Sequence, residues 1–135
     1  MRLIFHTGFH KTGTTSLQHI LRDNAETIAA HLRVYTNTQL RQLANATLAY
    51  STDTTPQRLK RVRILLQEFL ASLDLDDPRP VLVSSEDLCG HLPGHFNVTA
   101  YAAAPVLMRA LTNTTRRRFG DKVDLHLGSG LIASK

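Results

Sequence analysis

The spacing of apolar residues switches repeatedly between a strand pattern and a helix pattern along the 135 residues of this chain. Leu3, Ile4 and Phe5 make a near-continuous apolar run over residues 2–6, as in a parallel strand buried on both faces. From Thr14 the period becomes helical. Leu17, Ile20 and Leu21 share a stripe that Ala25, Ile28 and Leu32 extend. Asp23 followed by Glu26 resembles a capping box, so the stretch reads either as one long helix or as two short ones with a start near Asn24. Val34 and Tyr35 suggest a brief extended piece.

Residues 39–50 read as a helix with Leu40, Leu43, Ala44, Thr47 and Leu48 on one face, followed by a loop over 51–55. Thr55 then Pro56 is a strong helix start. Leu59, Val62, Leu66, Phe69 and Leu73 then recur at three and four residues, the clearest helical stripe in the chain. The run Asp76-Asp77-Pro78-Arg79-Pro80 turns the chain into a second strand over 80–84. Gly90 to Gly94 reads as a loop. Residues 101–119 read as a helix with Pro105 in its first turn and Leu107, Leu111 and Phe119 toward the core. Arg116, Arg117 and Arg118 suit its C-terminal dipole and Gly120 its stop. Val123, Leu125 and Leu127 mark a third strand over 122–127. Strands alternating with helices predict an α/β domain, a parallel sheet of about three core strands with helices on both faces. The length suits one domain over 1–135.

Composition narrows the functional classes. Sixteen Lys and Arg against eleven Asp and Glu leave a net charge of +5, which fits an anionic ligand or an acidic acceptor. No RNA-recognition aromatic motif, finger spacing or long basic tail is present, so nucleic acid is not the expected partner. Cys89 is the single cysteine, which excludes an internal disulfide framework and suggests a reducing compartment. A strand beginning at Arg2 leaves no room for a targeting segment, and no apolar run reaches membrane-spanning length. The expected location is cytoplasmic.

The chemistry concentrates after the first strand. Gly8, His10, Lys11, Thr12, Gly13, Thr14, Thr15 and Ser16 lie between strand pattern and helix pattern. A helix N-terminus there offers unpartnered N–H groups and a favourable dipole to an anion. Gly8 and Gly13 permit close backbone approach, Lys11 adds a point charge, and the hydroxyls donate to oxyanions. The nucleoside-triphosphate loop G-x-x-x-x-G-K-[ST] places lysine directly after its second glycine, whereas Lys11 precedes Gly13 by two residues.

The order Lys11-Thr12-Gly13-Thr14-Thr15-Ser16-Leu17-Gln18 resembles the 5′-phosphosulfate loop of the sulfotransferase family. It is most similar to the bacterial branch in which HxGxxKTGTTSLQ opens the protein. The resemblance implies a P-loop-type fold and transfer of a sulfuryl group from 3′-phosphoadenosine 5′-phosphosulfate (PAPS) to a hydroxyl or amine of a small molecule, carbohydrate or lipid. Gly8, Lys11, Thr12, Gly13, Thr14, Thr15 and Ser16 would bind the cofactor, and Lys11 would ease departure of the phosphate. The family uses Glu or His as base. Glu86, after a strand ending Ser84-Ser85, and His10, beside Lys11, are the two candidates. The resemblance also implies an arginine and then a serine-bearing helix after the third strand, gripping the 3′-phosphate. Gly128 to Lys135 contains no arginine, so an incomplete domain lacking its C-terminal part is expected. A phosphate-binding fragment without activity is the second reading. A kinase or nucleoside triphosphatase is the third, disfavoured by the lysine placement and by the lack of an evident magnesium-binding aspartate after an apolar strand. No metal is expected. Cys89, His91 and His95 fit zinc spacing loosely, as do His6 and His10.

Overall fold

The computed structural model of the chain describes residues 1–7, 14–90 and 103–128, with the side chains of 14–18 and of Cys89 outside that description. Four parallel strands form one sheet in the order β2-β3-β1-β4. They are β1 (Arg2–His6), β2 (Arg33–Tyr35), β3 (Val81–Ser84) and β4 (Asp124–Gly128). The helices are α1 (Thr14–Asp23), α2 (Ala25–Ala29), α3 (Arg41–Thr52), α4 (Pro56–Ala71) and α5 (Ala104–Phe119). The expected strands over 2–6, 80–84 and 122–127 are β1, β3 and β4. The brief extended piece at Val34 is β2, which sits at one edge.

Register explains the core. Leu3 pairs with Val81 and Phe5 with Val83, and all four are fully buried. Successive strand residues point to opposite faces. Tyr35 accordingly meets Phe69 of α4 edge-on at 5.1 Å, whereas Val34 shares a cleft with Leu21 of α1 and Ile28 of α2. The Leu3 face carries the core, closed by Leu43 of α3, Val62, Leu66 and Leu70 of α4, and Leu107 and Leu111 of α5. The opposite face is only half-buried at Ile4 and Leu82, so β1 is not the two-sided buried strand its apolar run suggests. β4 is an edge strand, and its Leu127 is 39% exposed.

The helix boundaries follow local chemistry. The Thr55 hydroxyl accepts from the Arg58 N–H and Pro56 opens α4. The α1–α2 stretch is two helices, but Asn24 does not cap α2. Its side-chain amide donates back to the Ile20 carbonyl at 2.9 Å instead. Asp23 is the last residue of α1 and makes an exposed ion pair with Arg22, so the capping-box reading fails. α3 continues two residues into the expected loop, to Thr52. Gly120 ends α5 at φ 56°, the left-handed region that favours glycine. The turn before β3 is fixed by Arg33, which donates to the carbonyls of Asp74 at 2.9 Å and Arg79 at 3.0 Å. Arg79 also pairs with Asp77 at 2.7 Å, and this hydrogen bonding holds the Asp77 carboxyl well below the usual carboxylate range.

Candidate functional site

The strand order defines where a ligand belongs. From β1 the chain moves outward past β3 to β2. From β3 it crosses to the other side of β1 and reaches β4. Connections leaving the adjacent strands β1 and β3 therefore run in opposite directions, and the crevice outside their carboxyl ends is a topological switch point. Polar residues gather there. Thr7 follows β1 and is 2% exposed, with its N–H donating to the Gly128 carbonyl at 3.0 Å. Ser84 and Ser85 are fully buried, and the Ser85 N–H donates to the His6 carbonyl at 3.1 Å.

Three hydrogen bonds with Asn37 and Thr47 anchor the turn after β3. Ser85 Oγ donates to Asn37 Oδ1, and Asn37 Nδ2 donates to Asp87 Oδ2 at 2.8 Å. Thr47 Oγ1 of α3 bonds the Asp87 carbonyl, also at 2.8 Å. Glu86 opens the 3-10 turn Glu86–Cys89 and is half-buried. The network fixes the backbone on both sides of this carboxylate, so its position is set by the sheet rather than by a free loop. At the end of the same turn Gly90 takes φ 95°, and a Cβ there would lie 2.7 Å from the Ser51 Cβ of α3.

Two buried polar groups at the crevice lack partners. Both ring nitrogens of His6 and the Ser84 hydroxyl are shielded from solvent without a hydrogen bond among the described residues. His6 and Ser84 are register partners on the β1–β3 ladder, so their side chains leave the same face side by side. Burial pushes the His6 imidazole below its ordinary pKa, which favours the neutral ring. Orphaned groups of this kind in a native fold call for a ligand, a water or a functional strain.

Of the residues singled out from sequence, Glu86 stands at the switch point. Thr14, Thr15 and Ser16 occupy the first turn of α1 by their backbone. Gly8, His10, Lys11, Thr12 and Gly13 fall outside the described residues, as do His91, His95 and the stretch after Gly128. Residues 8–13 nevertheless join the carboxyl end of a central strand to the N-terminus of the next helix. Among the described residues no three His, Cys, Asp or Glu side chains are grouped to hold a metal ion. No helix among them is long and apolar enough to cross a membrane. Sequence reasoning missed Asn37, Thr47 and the His6–Ser84 pair as parts of this site. Thr47 reads as one position of the helical face over 39–50 and Asn37 lies in no periodic stretch, so neither signals a site. They meet Asp87 because Asn37 follows β2 and Thr47 lies on the buried side of α3, both beside the turn after β3.

No family model, curated protein or solved structure matches the chain.

Proposed function

We propose that the chain is a P-loop-type sulfotransferase domain, moving a sulfuryl group from PAPS to a hydroxyl or amine acceptor. One observation carries the reading. The sequence Lys11-Thr12-Gly13-Thr14-Thr15-Ser16 runs from the connection after β1 into the first turn of α1, and β1 ends at the switch point of an all-parallel sheet, where a helix N-terminus favours a phosphate.

On this reading the amides of the turn from Gly8 to Thr15, with the hydroxyls of Thr12, Thr14, Thr15 and Ser16, hold the 5′-phosphate of PAPS. Lys11 Nζ stands against the oxygen that bridges phosphorus and sulfur. The acceptor oxygen forms its bond to sulfur as the bridging S–O bond breaks, and the bond's electron pair stays on the phosphate. Lys11 then meets more negative charge in the transition state than in the ground state, which is the condition for catalysis rather than binding. Glu86 takes the acceptor's proton, with His10 the second candidate for that role. The acceptor is a hydroxyl or amine of a small molecule, carbohydrate or lipid. A cytoplasmic location agrees with the single cysteine.

Thermal titration separates this reading from its alternatives. Adenosine 3′,5′-bisphosphate at a hundredfold excess over its dissociation constant stabilises a binding protein by about 2.7 kcal/mol. The expected result is a rise in Tm with the bisphosphate, not matched by ATP–Mg, and its loss in Lys11→Ala. A weak response to every phosphate supports the phosphate-binding fragment, and a magnesium-dependent response to ATP supports a kinase or triphosphatase. In a transfer assay, Glu86→Gln should lower turnover while leaving the bisphosphate response intact. Unchanged turnover removes Glu86 from the mechanism.

A further inference from the structure

A second cationic site lies at the other end of the sheet. α4 and α5 pack side by side, and a cleft of about 500 Å³ opens where they approach the amino ends of β3 and β4. Arg63 and Gln67 enter it from α4, one turn apart. Thr114, Arg117 and Arg118 enter from α5 at the same helical spacing, and Lys122 closes the cleft from the turn before β4. Leu75 and Phe119 supply apolar lining.

The cleft gathers four cations from three elements and has no carboxylate in its lining. Among the described residues none of the four makes an ion pair, although the protein pairs Arg2, Arg22, Arg33, Arg58 and Arg79 with aspartates elsewhere. Asp74, Asp76 and Asp121 are sequence neighbours of the lining but do not enter it. Like charges brought together without counter-charge raise the local potential and favour an anion. Three of the four are arginines, whose forked donors suit phosphate oxygens in pairs. Arg118 lies over the Phe119 ring at 5.8 Å, a contact that restrains its guanidinium.

We propose that this cleft binds a small ligand carrying clustered phosphates, an oligophosphate in chemical class. The recess has the size of a small-molecule pocket rather than the length of a nucleic-acid track. Its aromatic residue, Phe119, is 7% exposed and offers no open face for a base to stack on. The site stands at the amino edge of the sheet, away from the switch point, and does not depend on the sulfotransferase reading.

Tripolyphosphate is the probe and orthophosphate its single-phosphate control, followed by amide NMR on the full chain. Tripolyphosphate should shift the amides of Gln67 and of residues 114–122 and bind at least tenfold more tightly than orthophosphate. Arg63→Gln with Arg117→Gln should weaken it at least tenfold, whereas Lys60→Gln, on α4 outside the cleft, should leave it unchanged. Raising salt from about 0.05 to about 0.3 M should weaken binding several-fold. Lys11→Ala should retain it, because Lys11 is not among the residues lining the cleft. Shifts confined to the start of α1 and lost in Lys11→Ala overturn the proposal, as does binding that ignores the paired arginine substitutions. A duplex oligonucleotide that binds more tightly through the same amides overturns the choice of a small ligand.

Discussion

His6 is a half-buried strand residue whose protonation bears on stability. Its ring nitrogens are shielded and unpartnered among the described residues, beside an equally unpartnered Ser84 hydroxyl. Burial holds the folded pKa below the ordinary value of 6.5, so the unfolded chain takes up this proton at higher pH than the folded one. Stability from this group therefore rises with pH through the window below 6.5 and is complete above it. Urea titrations at pH 5 and pH 7 should show wild type losing stability toward acid, and His6→Asn should lose less. An equal loss in both proteins removes His6 as the cause. Gly90 poses a simpler demand, since it combines φ 95° with the close Ser51 side chain. Gly90→Ala should cost about 2 kcal/mol in a denaturant midpoint analysis, the scale of strain for a side chain forced into that region. A neutral result would mean the turn after β3 can move away from α3. Neither demand was visible in the sequence. His6 reads there as a strand residue with a loose zinc spacing to His10, and Gly90 as a loop glycine.

At the scale of elements, the strongest periodic signal gave the most faithful expectation. Leu59, Val62, Leu66 and Phe69 mark the inner side of α4, and Val62 and Leu66 are fully buried. Leu66→Ala should cost about 3 kcal/mol, whereas Ile64→Ala, at 37% exposure on another side of the same helix, should cost much less. Comparable losses at both positions would contradict the packing of α4. The three longer strands were legible because their apolar runs are bounded by proline, glycine or charge. β2 was faint because three residues carry little pattern, and its place is set by pairing with β3 and by the Arg33 anchor. The break between α1 and α2 was one of two readings that the sequence left open, and the capping box offered for it does not form. Asn24 turns its side chain back onto Ile20, which no spacing rule signals. The turn after β3 was recognised by its hydroxyls and carboxylates. Its anchoring was not, because Asn37 and Thr47 reach it through tertiary contacts.

For the whole molecule, alternating patterns were enough to predict a parallel α/β sheet, but strand order needed three dimensions. The order β2-β3-β1-β4 makes β1 and β3 neighbours and brings Thr7 and the distant Ser84-Ser85-Glu86 stretch to one crevice. The cationic cleft arises the same way. The arginines at the end of α5 read from sequence as a dipole complement, and only the packing of α4 on α5 brings Arg63 to them. The central claim is that the turn from Gly8 to Ser16 holds the inner phosphate of a sulfated nucleotide, with Lys11 at its leaving oxygen. The most direct measurement is a crystal structure with adenosine 3′,5′-bisphosphate. The account predicts the 5′-phosphate on the amides of that turn, Lys11 Nζ within hydrogen-bonding distance of it, and Glu86 facing the space the acceptor would fill. A nucleotide bound elsewhere, or Lys11 directed away from the phosphate, would contradict it.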